Sequence, residues 1–259
     1  MNPVDYNEKE IGEVFKSTTV PRSDYFVTTK LWSSDHTRVA SALDKSLSDL
    51  QLSYVDLYLM HWPITLDPST GAPYGQEDRH KHLSGWDFRD TWREMEALLS
   101  TGKVRAIGVA NFSTVNLELL LKTAKVVPAV NQTEIHPFLP QEKLNRYCRE
   151  RGIHQTAFGP LGGSGGGSLH EEEVVVGIAR DRGVSIANVL LSWGVLRGWS
   201  VVPKSTNEGR IRGNLGGCMV LSEEEMRLID ELSKTKGRRF NRPDWGTAVF
   251  HDDEGLDIA

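Results

Sequence analysis

Five polar residues stand at or near the ends of short apolar runs. Lys30 closes YFVTTK, His61 closes VDLYLMH, Asn111 closes AIGVAN, Gln132 lies late in AVNQTE, and Lys204 follows SVVP. Lysine brings a fixed positive charge, histidine a proton donor or acceptor, and the carboxamides paired donors and acceptors. Taken singly, a histidine at such a place is more often a satisfied structural residue, and a lysine is usually solvent-exposed. Five recurring in one pattern point to a site.

The elements that must carry them follow from the hydrophobic pattern. Strand-like runs are Tyr25–Lys30, Val55–His61, Ala106–Asn111, Ala129–Glu134, His154–Gly159 and Ser200–Pro203, and helical patterns lie between them. A helix is expected to begin at Asn7-Glu8, with acidic residues suited to its positive end. Ser113 is expected to cap a helix through Lys125, and Pro140 to open one through Arg151. Ser222 with Glu225 forms a capping box before MRLIDEL. Repeated strand-then-helix units predict an α/β fold with a parallel sheet, and at 259 residues a barrel outranks an open sheet. In a parallel barrel the strand C-termini share one face, so the five polar ends would line a single pocket mouth. Six strand–helix units are legible where such a barrel has eight.

Composition excludes several classes. No apolar window approaches the ~18 residues of a membrane span, and no basic stripe suggests nucleic acid, the net charge being −5. Cys148 and Cys218 are too few for a disulfide framework, which implies a reducing, cytoplasmic setting. No carboxylate pair or metal-ligand cluster stands at the strand ends, so no metal is expected and a barrel hydrolase or aldolase is a poor fit. Oligomeric state is unreadable. The stretch 65–84 reads as a long loop after a strand end, where barrel enzymes keep substrate-facing loops. GGSGGGS (162–168) reads either as a cofactor-covering loop or as a tolerant surface connection. Neither the Rossmann nor the P-loop glycine pattern is present.

LSDLQLSYVDLYLMHWP (47–63) resembles the signature segment of the aldo-keto reductases. So do VTTKLW (27–32), IGVANF (107–112), VNQTEIHPFL (130–139), FGPLG (158–162) and VVPKSTNEGRIRGN (201–214), in family order over nearly the whole chain. The resemblance implies one domain, residues 1–259, with a (β/α)8 barrel that reduces aldehyde or ketone carbonyls with NADP(H). In this family a tyrosine protonates the forming alkoxide. A free tyrosine, with its pKa near ~10, is a reluctant acid at neutrality, and a neighbouring lysine ammonium eases the donation. Lys30 matches that lysine, and His61 the histidine that orients or polarises the carbonyl. Asn111 and Gln132 match the pair that holds the nicotinamide carboxamide. Phe158 stands where an aromatic ring stacks on the nicotinamide, and Leu161 belongs to the same cofactor segment. Lys204, Ser205 and Arg210 resemble the group that holds the adenosine 2′-phosphate, and Asn214 a residue that contacts adenine. Trp32 and Trp92 fall at pocket-lining positions or in plain core packing. Trp86 and Trp245 either shape an apolar pocket or anchor their loops.

Departures accompany the match. Ala110 and Gly213 replace a serine and an acidic residue that commonly touch the cofactor, and the tract after Phe158 is short and rich in glycine. The family tyrosine register falls on Asp5, with Tyr6 one place late. The family's buried aspartate, five residues before the tyrosine, has no counterpart, nor do two strands and the helix between them. A barrel lacking them would expose the edges of Tyr25–Lys30 and Ser200–Pro203, with marginal stability and a tendency to aggregate. The first reading is therefore an NADPH-dependent carbonyl reductase with Tyr6, Lys30 and His61 as its acid system. The second is a truncated or degenerate relative that binds NADP(H) with little or no catalysis, either a regulatory or interaction protein or the product of a misassigned gene start.

Overall fold

The computed structural model describes residues 7–70, 78–163 and 167–253. Six strands are found among them: β1 (Thr28–Leu31), β2 (Val55–Met60), β3 (Val104–Ala110), β4 (Val130–Glu134), β5 (His154–Phe158) and β6 (Ser200–Val202). Their sheet order is β1-β2-β3-β4-β5-β6. The pairs β1–β2, β2–β3 and β5–β6 are parallel, with Lys30 opposite Leu59 and Phe158 opposite Val202. The helices are α1 (Glu8–Ser17), α2 (Val39–Leu50), α3 (Phe88–Leu98), α4 (Thr114–Leu121), α5 (Glu142–Glu150), α6 (Gly167–His170), α7 (Glu173–Arg182), α8 (Ile186–Leu196), α9 (Glu208–Gly216) and α10 (Glu223–Lys236). This is the α/β alternation that the sequence pattern predicts. No helix among the described residues is long and apolar enough to cross a membrane.

The expected strands are all present, with shifted ends. β1 starts three residues later than its apolar run, because Tyr25 is used otherwise: its ring stacks on Phe15 at 5.0 Å, and the Arg22 guanidinium lies over it. Pairing begins where the Val27 carbonyl accepts from the Asp56 and Leu57 amides. Ser113 caps α4 by accepting from the Asn116 amide, but that helix stops four residues short of Lys125. The amides of Thr123 and Ala124 both turn back to Leu120. The capping box of Ser222 and Glu225 opens α10 as expected.

The chain folds as two compact units. The first comprises residues 1–131, 151–153 and 244–251, and the second 132–150, 154–243 and 252–259. In the first, β2 is buried along its whole length, as expected of a parallel strand covered on both faces. Helix α1 lies against α2 at Gly12, where an added Cβ would sit 2.1 Å from the Asp49 carbonyl oxygen. Only backbone fits there. The second unit closes around its own core of Ile135, Phe138, Leu169, Leu190, Trp193 and Ile229.

Candidate functional site

The strand ends of the first unit hold Lys30, His61 and Asn111. Parallel pairing sets Lys30 opposite Leu59, two residues before His61, and the His61 amide donates to the Leu31 carbonyl at 3.0 Å. Asn111 takes a left-handed conformation (φ 61°), which asparagine tolerates better than most residues. That turn aims its Nδ2 at the His61 carbonyl, to which it donates at 2.9 Å. The ends of β2 and β3 are thereby tied together.

His61 is buried, and its ring meets Trp32 edge-on at 5.0 Å and lies nearly parallel to Trp62 at 6.0 Å. Burial, followed by the Lys30 charge, holds its pKa well below the ordinary imidazole range. The ring is therefore neutral at neutral pH, and among the described residues its Nδ1 has no hydrogen-bond partner. Such an imidazole can offer or accept one hydrogen bond without gaining charge.

Lys30 and Trp32 line a cavity of about 250 Å³ in this unit, together with Glu8, Asp35 and Tyr58. The sequence pattern puts Glu8 at the positive end of the helix dipole, where an acid ordinarily faces solvent. It is instead buried, and accepts from the Thr29 hydroxyl at 2.6 Å. Tyr6, the expected proton donor, lies outside the described residues.

An aromatic cluster flanks His61. Trp32, Trp62 and Trp245 are all buried, with Trp62 and Trp245 5.0 Å apart and Phe250 edge-on to Trp62 at 6.0 Å. Trp245 comes from the tail and is fixed by His82, which donates from Nε2 to its carbonyl at 2.7 Å. Trp92 is placed differently, in α3, where it is fully buried and its indole N–H donates to the Val126 carbonyl. Trp86 donates to the Thr91 hydroxyl at the start of that helix.

The second unit gathers most of the residues expected to touch a cofactor. Leu161, Lys204, Ser205, Arg210 and Asn214 line one cavity of about 590 Å³, whose wall continues through Gly159 and Pro160. Phe158, immediately before that wall, ends β5, and its carbonyl accepts from the Ile135 amide at 3.2 Å. Gln132 is buried in β4.

The local sequence explains the cation cluster. Asn207 caps α9 by accepting from the Arg210 amide at 3.0 Å, while the Ser205 hydroxyl accepts from the Asn207 amide and from Arg210 Nε. Lys204 and Arg210 have no carboxylate partner among the described residues, and no acidic side chain lines the cavity. Two uncompensated cations beside a hydroxyl suit a phosphate dianion. The donor set therefore fits the 2′-phosphate of NADP(H).

One buried network in this unit has no signal in the sequence. Burial pushes Glu134 up, but His136 Nε2 at 2.9 Å, Arg239 and the Phe240 amide together carry it below the ordinary carboxylate range. Glu134 thus fixes residues 239–241 against the end of β4. No spacing rule joins positions so far apart in the chain.

The aldo/keto reductase family model matches residues 4–234. The chain belongs to the aldo/keto reductase family. Among curated relatives, glycerol 2-dehydrogenase (NADP(+)) of Saccharomyces cerevisiae is 43% identical over 250 residues, covering 92% of this chain and 80% of that protein. D-galacturonate reductase of Hypocrea jecorina is 44% identical over 256 residues, covering 93% and 81%. Among solved structures, an aldose reductase from Giardia lamblia superposes with a TM-score of 0.89 at 34% identity, covering 96% of this chain and 88% of its own. These aldo/keto reductase relatives are oxidoreductases by name, which agrees with the resemblance read from the six sequence motifs.

Proposed function

We propose that this aldo/keto reductase is an NADP(H)-dependent oxidoreductase that reduces aldehyde or ketone carbonyls of small polar molecules. We read its six strands as part of the family's (β/α)8 barrel. The observation that carries the cofactor assignment is the Lys204–Ser205–Arg210 cluster in a cavity that no carboxylate lines among the described residues. The relatives named for NADP(+), glycerol and D-galacturonate support the cofactor and a hydroxylated substrate.

NADPH, when bound, supplies the hydride. Lys204 and Arg210 would hold the 2′-phosphate with Ser205, Asn214 would contact the adenine, and Leu161 would pack along the cofactor. The family resemblance assigns Asn111 and Gln132 to the carboxamide and Phe158 to the nicotinamide ring. The neutral His61 hydrogen-bonds the substrate oxygen and so sets its orientation. Lys30 keeps the Tyr6 phenol within reach of ionisation, so that Tyr6 delivers the proton as the carbonyl becomes an alcohol. Trp32 shapes the substrate side, whereas Trp92 is core packing of α3.

Fluorescence titration with NADPH, followed by NADPH consumption with a generic aldehyde, tests the proposal. Saturable binding and steady turnover are expected. Tyr6→Phe and Lys30→Met are expected to abolish turnover and leave NADPH binding intact. Absence of NADPH binding overturns the reading. Binding without turnover in the wild-type chain replaces it with the second one, a cofactor-binding relative.

A further inference from the structure

Two stretches distant in the chain meet beside the aromatic cluster that flanks His61. Residues 65–67, just after β2, run antiparallel to residues 81–83: the Leu83 amide donates to the Thr65 carbonyl at 3.0 Å, and the Asp67 amide to the Lys81 carbonyl at 2.9 Å. That pairing sets His82 opposite Leu66, which is buried in the cluster. From there His82 Nε2 reaches two carbonyls, that of Trp245 at 2.7 Å and that of Arg79 at 3.1 Å. A carbonyl only accepts, so this nitrogen carries the proton and donates. We propose that His82 is a positioning residue for substrate selection: its hydrogen bond to the Trp245 carbonyl fixes Trp245 in the aromatic cluster beside His61, and so sets which carbonyls the site prefers. The inference rests on the reading of this protein as a carbonyl reductase with His61 at the substrate oxygen.

The ring contacts say why Trp245 matters. Its ring centroid lies 5.0 Å from that of Trp62 and 6.3 Å from that of Trp32, and both of those rings also meet His61, at 6.0 and 5.0 Å. One side chain thus supports both aromatic neighbours of the imidazole. The buried indole N–H of Trp245 has no hydrogen-bond partner among the described residues. Its placement therefore falls to ring packing and to its backbone.

That backbone is held from outside. The Arg79 guanidinium lies over the Trp245 ring, 5.4 Å from its centroid. Gly246 follows with φ 67°, and an added Cβ there would sit 2.7 Å from His80 Nδ1, so the tail passes close against residues 79–82. Further along, Asn116 donates to the Val249 carbonyl at 3.4 Å, and the Ser113 hydroxyl lies 2.9 Å from His251 Nδ1. Residues 245–251 are pinned at both ends, and the His82 hydrogen bond is the shortest of these polar contacts. His82 itself is exposed, so replacing it opens no core cavity. Its loss should move Trp245 more than it costs stability.

The test measures NADPH consumption with benzaldehyde and with glyceraldehyde. The chains compared are wild type, His82→Phe, His82→Gln, Trp245→Ala and the His82→Phe/Trp245→Ala double variant, each first titrated with NADPH. Phenylalanine keeps a flat ring without the donor, and glutamine restores an N–H at similar reach. His82→Phe is expected to raise KM for benzaldehyde about fivefold, the scale of one hydrogen bond, with little change in kcat. Glyceraldehyde, which offers no ring to the aromatic cluster, should keep its kcat/KM within about twofold. His82→Gln is expected to behave as wild type, and His82→Phe to add nothing in the Trp245→Ala background. An unchanged preference between the aldehydes in His82→Phe overturns the proposal, as does an equal loss with both. So does a His82→Gln chain that fails to restore the preference, or a His82→Phe effect that persists in the Trp245→Ala background. A His82→Phe chain that binds NADPH less well than wild type marks a structural role and overturns it too. Wild type that consumes NADPH with neither aldehyde overturns the reductase reading, and the proposal with it.

Discussion

The two cations lining the second unit's cavity, Lys204 and Arg210, have different chemistry, and this sets what their loss should do. Arg210 is held by Ser205 at Nε, while Lys204 is a point charge on a flexible stem. Replacing either with Met is expected to raise the NADPH dissociation constant about tenfold, as for a charge-assisted hydrogen bond partly screened by solvent. NADH, which lacks the 2′-phosphate, should bind both variants as it binds wild type, and parallel titrations read the difference. Lys30, His61, Asn111 and Lys204 can be picked out from the sequence, because each follows or ends an apolar run, whereas Arg210 comes only from the family resemblance. Glu8 cannot. An acid in a helix's first turn ordinarily faces water, and its burial depends on Thr29, 21 positions away.

At the scale of elements, α1 decides whether the first unit's chemistry can be assembled. It buries only Glu8 and Gly12, so its seat on α2 depends on the close approach at Gly12. Gly12→Ala would drive a methyl group into the Asp49 carbonyl, and backbone cannot yield as a flexible side chain can. The helix would be levered away, carrying Glu8 from Thr29 and opening the cavity that Glu8 shares with Lys30. Turnover is expected to fall by more than ~100-fold, in line with the cost of misplacing a catalytic group by about 1 Å. NADPH affinity, which the proposal assigns to the second unit's cation cluster, should remain within about twofold. Helix α9 presents the complementary case. It buries no residue, so its first turn depends on the Asn207 cap. Asn207→Ala should cost about 1 kcal/mol of local stability. Faster amide exchange at Arg210 and weaker NADPH binding would register that loss. Strand order and element type are legible because period-two and period-3.6 patterns are local. The tail is not, since Trp245 finds Trp32 and Trp62 only through tertiary packing.

For the whole molecule, three buried histidines set a direction of pH dependence. Burial lowers His36 to about 3 and, aided by Lys30, holds His61 well below the ordinary range. Burial also lowers His136, outweighing the opposing pull of Glu134. Each native pKa lies below the unfolded value near ~6.5, so the unfolded chain takes up protons first as pH falls. Stability from these groups is therefore complete above about pH 6.5 and declines below it. Each group contributes up to about 1.4 kcal/mol per pH unit while its folded form stays neutral. For His36 that window extends from ~6.5 down to about 3. Glu134 and Asp56, whose native carboxyl pKa values are depressed, add a further loss below about pH 4. A protein of ordinary stability, about 5–15 kcal/mol, should accordingly begin to unfold in mild acid before its carboxylates titrate. Urea midpoints measured between pH 8 and pH 5 check the slope. His36→Gln keeps a polar group within reach of the Thr65 hydroxyl, which lies 2.9 Å from His36 Nδ1. That variant is expected to be less stable than wild type at pH 8 and to lose less on acidification, since one buried group no longer competes for a proton. A slope identical to wild type would mean that His36 does not contribute to acid unfolding, and that the decline comes from His61, His136 and the carboxylates alone.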